Sequence, residues 1–166
     1  MDKKIKIAVL SGQNTGEICG FQYFMETLEK NNIETAVIPY APVKGRDIIS
    51  EIKALHPEML IAIDLLGFEQ CTLTDNIAYN LLDCKQLHLL LHHNLSNEQY
   101  LAKQLSIAMF FYCAGNDYYE YLNKQYPEIP YLKALPAWQS ETGEKAVEEN
   151  GKLLYRVFEE VLASIS

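Results

Sequence analysis

The chain has 166 residues, 49% of them apolar and 22% charged, with a formal charge of −8 and a pI near 5.0. That length suits one domain with a sizeable core, and the composition is that of a globular chain and argues against disorder. With two arginines, Arg46 and Arg156, and no basic cluster beyond Lys3, Lys4 and Lys6, it lacks the cationic footprint of a nucleic-acid binder.

The opening MDKKIKIAVLSG is basic, but its apolar run is too brief for a signal peptide, and no stretch approaches the roughly 20 apolar residues of a membrane span. Cytoplasmic residence is therefore expected. Cys19, Cys71, Cys84 and Cys113 then read as reduced thiols, without a CxxC pair or a zinc spacing. No metal site is expected.

Residues 5–10 (IKIAVL) predict a first strand covered on both faces. SGQNTGE follows. Ile18, Phe21, Phe24, Met25 and Leu28 then recur at helical spacing up to Lys30-Asn31-Asn32. ETAVIPY predicts strand two and APVKG a turn. Ile48, Ile49, Ile52 and Leu55 mark a second helix, ended by His56-Pro57. MLIAID predicts strand three. After LLGFEQC, Thr74 or Asp75 is the expected N-cap of a helix reaching Cys84.

QLHLLL predicts strand four. Ser96, with Gln99 three residues on, forms a capping box that opens a short helix. SIAMFFYC predicts strand five, and Asn116 or Asp117 starts the helix DYYEYLNKQYP. IPYLKAL, between Pro130 and Pro136, predicts an edge strand. Residues 142–166 carry Val147, Leu153, Leu154, Val157, Phe158, Val161 and Leu162 on one stripe, a closing helix that Gly151 could break.

Strands and helices alternating at this spacing predict one α/β domain over residues 1–166. Its sheet is doubly wound, mostly parallel and five- or six-stranded, with helices on both faces, Rossmann-like or flavodoxin-like. In such sheets ligands bind beyond the carboxyl ends of the strands. Five tips meet there: residues 11–16, 40–42, 64–68, 92–94 and 113–116.

The first tip, with Ser11, Gly12, Asn14, Thr15 and Gly16, offers small residues before a helix and could expose backbone N–H groups to an anion. It lacks the phosphate-loop lysine and the three-glycine dinucleotide fingerprint. Glu17 also stands where the flavodoxin phosphate loop, which it otherwise resembles, would want a small or hydroxyl residue. A plain tight turn explains it equally well.

Asp64 could hold a sugar hydroxyl, orient a histidine, act as a base, or only cap the LLGF turn. His92 and His93 would point oppositely if strand four continued through them, one to a cleft and one under a helix. An imidazole paired with Asp64 would have its tautomer fixed. Alanine at any of the three should then abolish activity and barely move thermal stability.

Tyr40, Gly67, Asn94 and Asn116 complete the candidate ligand-binding set, Gly67 chiefly as a turn residue. His88 reads as a core group and Cys113 as a buried thiol. Tyr118, Tyr119, Tyr121 and Tyr126 could form a stacking surface, or only an amphipathic border.

The order IAVLSG, helix, TAVIPY, proline-containing loop, LIAIDLLGF and a strand ending His-His-Asn resembles the N-terminal Rossmann-like half of two-domain, GT-B type glycosyltransferases over residues 5–138. Gly12, Asn14, Gly16 and His92 or His93 occupy comparable places. The resemblance implies a module that binds a sugar or nucleotide as acceptor. The second domain, which makes most nucleotide-sugar contacts, lies outside it. A small hydrolase or transferase using His92 or His93 with Asp64, a flavin binder, and an interaction domain meeting a copy of itself or another chain are the alternatives. The cofactor is left open.

Overall fold

In the computed structural model, which describes residues 4–12, 15–41, 47–93, 95–140 and 143–164, all five side chains of Met59–Ile63 are buried. This strand, β3, has a neighbour on each edge and helices over each face, so an unbroken apolar run suits it better than an alternating one. It pairs in parallel with β1 (Lys6–Ser11) on one side and β4 (Lys85–Leu90) on the other. β2 (Glu34–Pro39), β5 (Met109–Ala114) and β6 (Leu132–Leu135) complete a six-stranded parallel sheet, ordered β2-β1-β3-β4-β5-β6. The topology is Rossmann-like, with the order reversing between β1 and β3. The edge position expected for β6 is observed. β2, the other edge, leaves Val37 half-exposed.

Alternate side chains feed two cores. On one face α1 (Phe21–Lys30) and α4 (Glu144–Ala163) cover Ile7, Val9, Ile61 and Leu89. On the other, α2 (Ile48–Ala54) and α3 (Asn116–Gln125) cover Ala8, Leu10, Leu60 and Phe111. Right-handed crossovers dictate this split: the chain steps one way for β1 to β2 and the opposite way for every later strand. The closing helix α4 then returns to the α1 face. α2 is capped by Asp47, whose carboxylate accepts from the Ser50 N–H at 3.1 Å and its hydroxyl at 2.7 Å.

Three expectations are corrected. The helix from Thr74 or Asp75 to Cys84 is only a 3-10 turn, Ala78–Leu81. The Thr72 hydroxyl meets the Thr74 hydroxyl at 3.0 Å and accepts from the Asn76 N–H at 3.2 Å, so this segment bonds to itself instead of capping a helix. The Ser96 capping box likewise gives a 3-10 turn, Glu98–Ala102, preceded by Asn97, whose side chain is committed elsewhere.

Gly151, lastly, does not break α4. An ideal Cβ there would lie 2.3 Å from Tyr23 Cδ1 and 2.8 Å from its Cβ, so the glycine lets α1 and α4 close together. Gly151→Ala should therefore destabilise by about 1–3 kcal/mol from overpacking, against a gain of about 1 kcal/mol in helix propensity. Urea unfolding would measure the balance.

Candidate functional site at the carboxyl-end rim

The chain leaves β3 through two consecutive left-handed residues, Asp64 (φ 54°) and Leu65 (φ 59°), neither of them glycine. Each costs roughly 1–2 kcal/mol, and such strain persists only where surroundings over-determine it. Here they do. Leu65 is fully buried, and its carbonyl accepts from the Asn97 amide at 3.1 Å. The Leu66 carbonyl accepts from the Tyr79 hydroxyl at 2.6 Å. Tyr79 lies so close beneath Gly67 (φ 85°) that a Cβ there would sit 2.3 Å from the hydroxyl oxygen.

The bend delivers the Asp64 carboxylate to the end of β4. Oδ1 accepts from the backbone N–H groups of Leu91 (2.8 Å) and His92 (3.1 Å), and Oδ2 is 2.5 Å from His92 Nδ1. Asp64 thus bridges two strands instead of capping its own turn. A carboxylate can only accept, so His92 donates through Nδ1–H, and in the neutral ring Nε2 is left as an acceptor. The ring carrying that acceptor has a side chain 60% exposed, against 22% for Asp64.

His92 lines two clefts. The smaller, about 480 Å³, lies at the β1/β3 switch point among Gly12, Thr15, Glu17, Ile18, Ile63, Asp64 and Leu66. The larger, about 710 Å³, lies over the tips of β4 and β5. Its floor is Leu91–His93 and Ala114–Tyr118, and its walls are Glu17–Cys19 and Trp138–Ser140.

One buried side chain pins both walls. Asn150 of α4 donates to the carbonyls of Cys19 (3.2 Å) and Gln139 (2.9 Å) and accepts from the Gln139 N–H (2.8 Å). Asn150 is not among the candidates that the sequence motifs single out. Its signal was an amide on a stripe of apolar residues, which a folded core tolerates only with its hydrogen bonds made.

The other candidates divide. Asn116, at the start of α3, lines the larger cleft, as does His93, whose ring packs 4.3 Å from that of Tyr118. β4 ends at Leu90, so strand alternation does not govern the two histidines, and both are exposed. Gly12 and Thr15 line the smaller cleft, but the Gly12 N–H donates to the Thr15 hydroxyl at 2.8 Å. That donor is spent, which weakens the anion-loop reading. Gly16 is exposed, and the Ser11 carbonyl accepts from the Tyr40 N–H at 2.7 Å. Asn14 and Asn94 lie outside the described residues.

Tyr40 and Gly67 line neither rim cleft. Tyr40 is buried and donates its hydroxyl to Glu69, whose other oxygen accepts from Asn97 at 2.8 Å. Gly67 shapes the strained turn. Both support the site from beneath. Burial pushes the Cys113 thiol up to about 11, which makes it a poor nucleophile.

Among the described residues no three His, Cys, Asp or Glu side chains converge as a metal would require, and no helix is long and apolar enough to cross a membrane. No protein-family model, curated protein or solved structure matches the chain.

Proposed function

We propose that the rim binds a polar, hydroxyl-bearing small molecule, a sugar or nucleoside, in the larger cleft, with His92 as its principal hydrogen-bond acceptor. The observation that carries this reading is the 2.5 Å contact between Asp64 and His92 Nδ1, which commits an exposed imidazole to one tautomer at the mouth of two clefts. Such pre-ordering suits a donor hydroxyl.

The lining supports the same class. Trp138 offers an indole ring, and Asn116, Gln139 and Ser140 offer polar groups. The volume falls within the roughly 300–1,000 Å³ of small-molecule pockets. Glu17 and Asp117 are the carboxylates of the described lining, which contains no Lys or Arg. Asp117 also occupies the first turn of α3, where an anion would otherwise be favoured. These charges favour a nucleoside over a nucleotide, and a free sugar over its phosphate. An acceptor-binding role of the kind the glycosyltransferase resemblance implies fits this chemistry.

The same tautomer supports a second reading. Nε2 could remove a proton from water or a substrate hydroxyl, making the domain a small hydrolase or transferase with His92 as general base.

A thermal-shift panel of neutral sugars and nucleosides beside their phosphorylated forms tests the binding reading. The neutral ligands should raise the melting temperature by mass action. His92→Ala should remove that rise. A stronger response to the phosphorylated forms, or a response that His92→Ala leaves intact, would overturn the assignment.

A further inference from the structure

A separate, smaller pocket of about 200 Å³ opens beside the larger cleft, between His93, Glu98, Asp117, Tyr118 and Tyr121. It is below the roughly 300–1,000 Å³ of pockets that take drug-sized molecules, so its occupant is small. Its walls combine aromatic rings with carboxylates. Three are aromatic: the His93 and Tyr118 rings lie 4.3 Å apart, and Tyr118 and Tyr121 are nearly parallel, at 14° and 6.2 Å. The other two are carboxylates, and the described lining includes no Lys or Arg to neutralise them.

Glu98 is fastened. Its Oε2 accepts from the Tyr121 hydroxyl at 2.7 Å and the Tyr126 hydroxyl at 3.1 Å. A phenol donating to a carboxylate carries more electron density in its ring, so the Tyr121 face becomes a better seat for positive charge. The hydrogen bond to Glu98 also pushes the Tyr121 phenol above its ordinary value, which keeps it a neutral donor.

We propose that this pocket binds an organic cation, an alkyl- or quaternary ammonium group, held by cation–π contact with the exposed ring of Tyr121 and by the Glu98 and Asp117 carboxylates. The alternative cations fit less well. A small inorganic ion keeps its water shell and gains little from aromatic walls, whereas a weakly hydrated ammonium gains from both. A net charge of −8 raises the local concentration of any cation.

The inference goes beyond the sugar or nucleoside reading and does not depend on it. Tyr121 and Glu98 line the small pocket and not the larger cleft, so they separate the two.

The test uses choline and its uncharged isostere 3,3-dimethyl-1-butanol, followed by amide chemical shifts in the full chain. Choline should shift His93, Glu98, Asp117 and Tyr121 saturably, and the isostere should not. Tyr121→Leu should weaken choline binding by about threefold to tenfold, the loss expected for one ring face. Glu98→Gln keeps an acceptor for both tyrosines and removes the charge, and should weaken it similarly.

Equal shifts from the isostere would show an apolar dent and overturn the proposal. So would the absence of choline shifts, or variants that bind as the parent does. If Tyr121→Leu does not fold, the isostere comparison and Glu98→Gln decide. Sugar or nucleoside stabilisation persisting in Glu98→Gln alongside weakened choline binding is the supporting pattern. Loss of the sugar response in His92→Ala, with choline shifts intact, also leaves the small pocket standing.

Discussion

Lowering the pH from 7 to 5 should cost about 2 kcal/mol of folding stability through His88 alone. His88 lies inside β4, fully buried, with its ring 5.0 Å from Phe68, 5.1 Å from Phe111 and 5.7 Å from Tyr79. Its Nε2 lies 3.0 Å from Gln86 Oε1, and the Gln86 amide donates to the Tyr79 carbonyl at 2.9 Å. Its Nδ1 has no partner among the described residues. Gln86 Oε1 accepts, so Nε2 donates and the lone pair on Nδ1 faces the core.

Burial alone pushes this imidazole from 6.5 down to about 3. A histidine whose folded value is depressed is harmless while both states are neutral, above 6.5. Below that the unfolded chain takes up a proton that the folded chain refuses, so stability falls as pH falls, down to about 3. Exposed carboxylates held low by their partners, such as Asp47 beside Ser50 and Glu148 beside Lys152, lose stability in the same direction. A variant must therefore isolate the histidine. His88→Phe keeps a ring among the three aromatics and removes the titration, so urea unfolding between pH 7 and pH 5 should show a flatter profile than the parent. Identical profiles would show that His88 does not carry the acid sensitivity.

The second large effect concerns Asp64. Asparagine there should leave the fold nearly intact and reverse the chemistry of His92. Its Oδ1 can still accept from the Leu91 and His92 N–H groups, and asparagine tolerates the left-handed conformation that residue 64 adopts. Its Nδ2, however, is a donor facing His92 Nδ1. The imidazole must then accept at Nδ1 and carry its proton on Nε2, which changes the exposed nitrogen from acceptor to donor.

Ligand affinity should fall by about tenfold or more, the worth of one charge-assisted hydrogen bond. Should the ring act as a base, the rate would fall by as much as roughly 10⁴. The ¹⁵N shifts of the His92 ring read the swap directly: Nδ1 should be pyrrole-like in the parent and pyridine-like in Asp64→Asn. A parent whose Nε2 already carries the proton would contradict the assignment.

Alanine at position 64 is a different experiment. It strands two backbone N–H groups and puts an alanine at φ 54°, costing about 2–5 kcal/mol. The expectation that alanine there would barely affect thermal stability therefore does not hold, because Asp64 fastens β3 to β4 as well as orienting the histidine.

How much of this was legible depended on the range of the interaction. Runs such as MLIAI and the stripe through Leu154, Val157, Phe158 and Val161 record which faces are buried, and burial repeats with the period of the local backbone. The alternation of strand and helix, the parallel sheet, its edge strand and its rim followed from that alone. The 3-10 turns did not. Thr72 and Thr74 bond to each other and to nearby backbone, a competition that periodicity does not register.

The site needed the third dimension. Asp64 and His92 are 28 positions apart and meet only because β3 and β4 are neighbours, a pairing made by hydrogen bonds between distant segments. Asn150 reaches Cys19 across 131 positions. Local pattern determined that strand ends would gather at one rim, since alternation and chirality leave little choice. Which side chains touch there, in which tautomer and with which donors already spent, was decided by packing, because one polar group's satisfaction depends on atoms that sequence distance does not bring near.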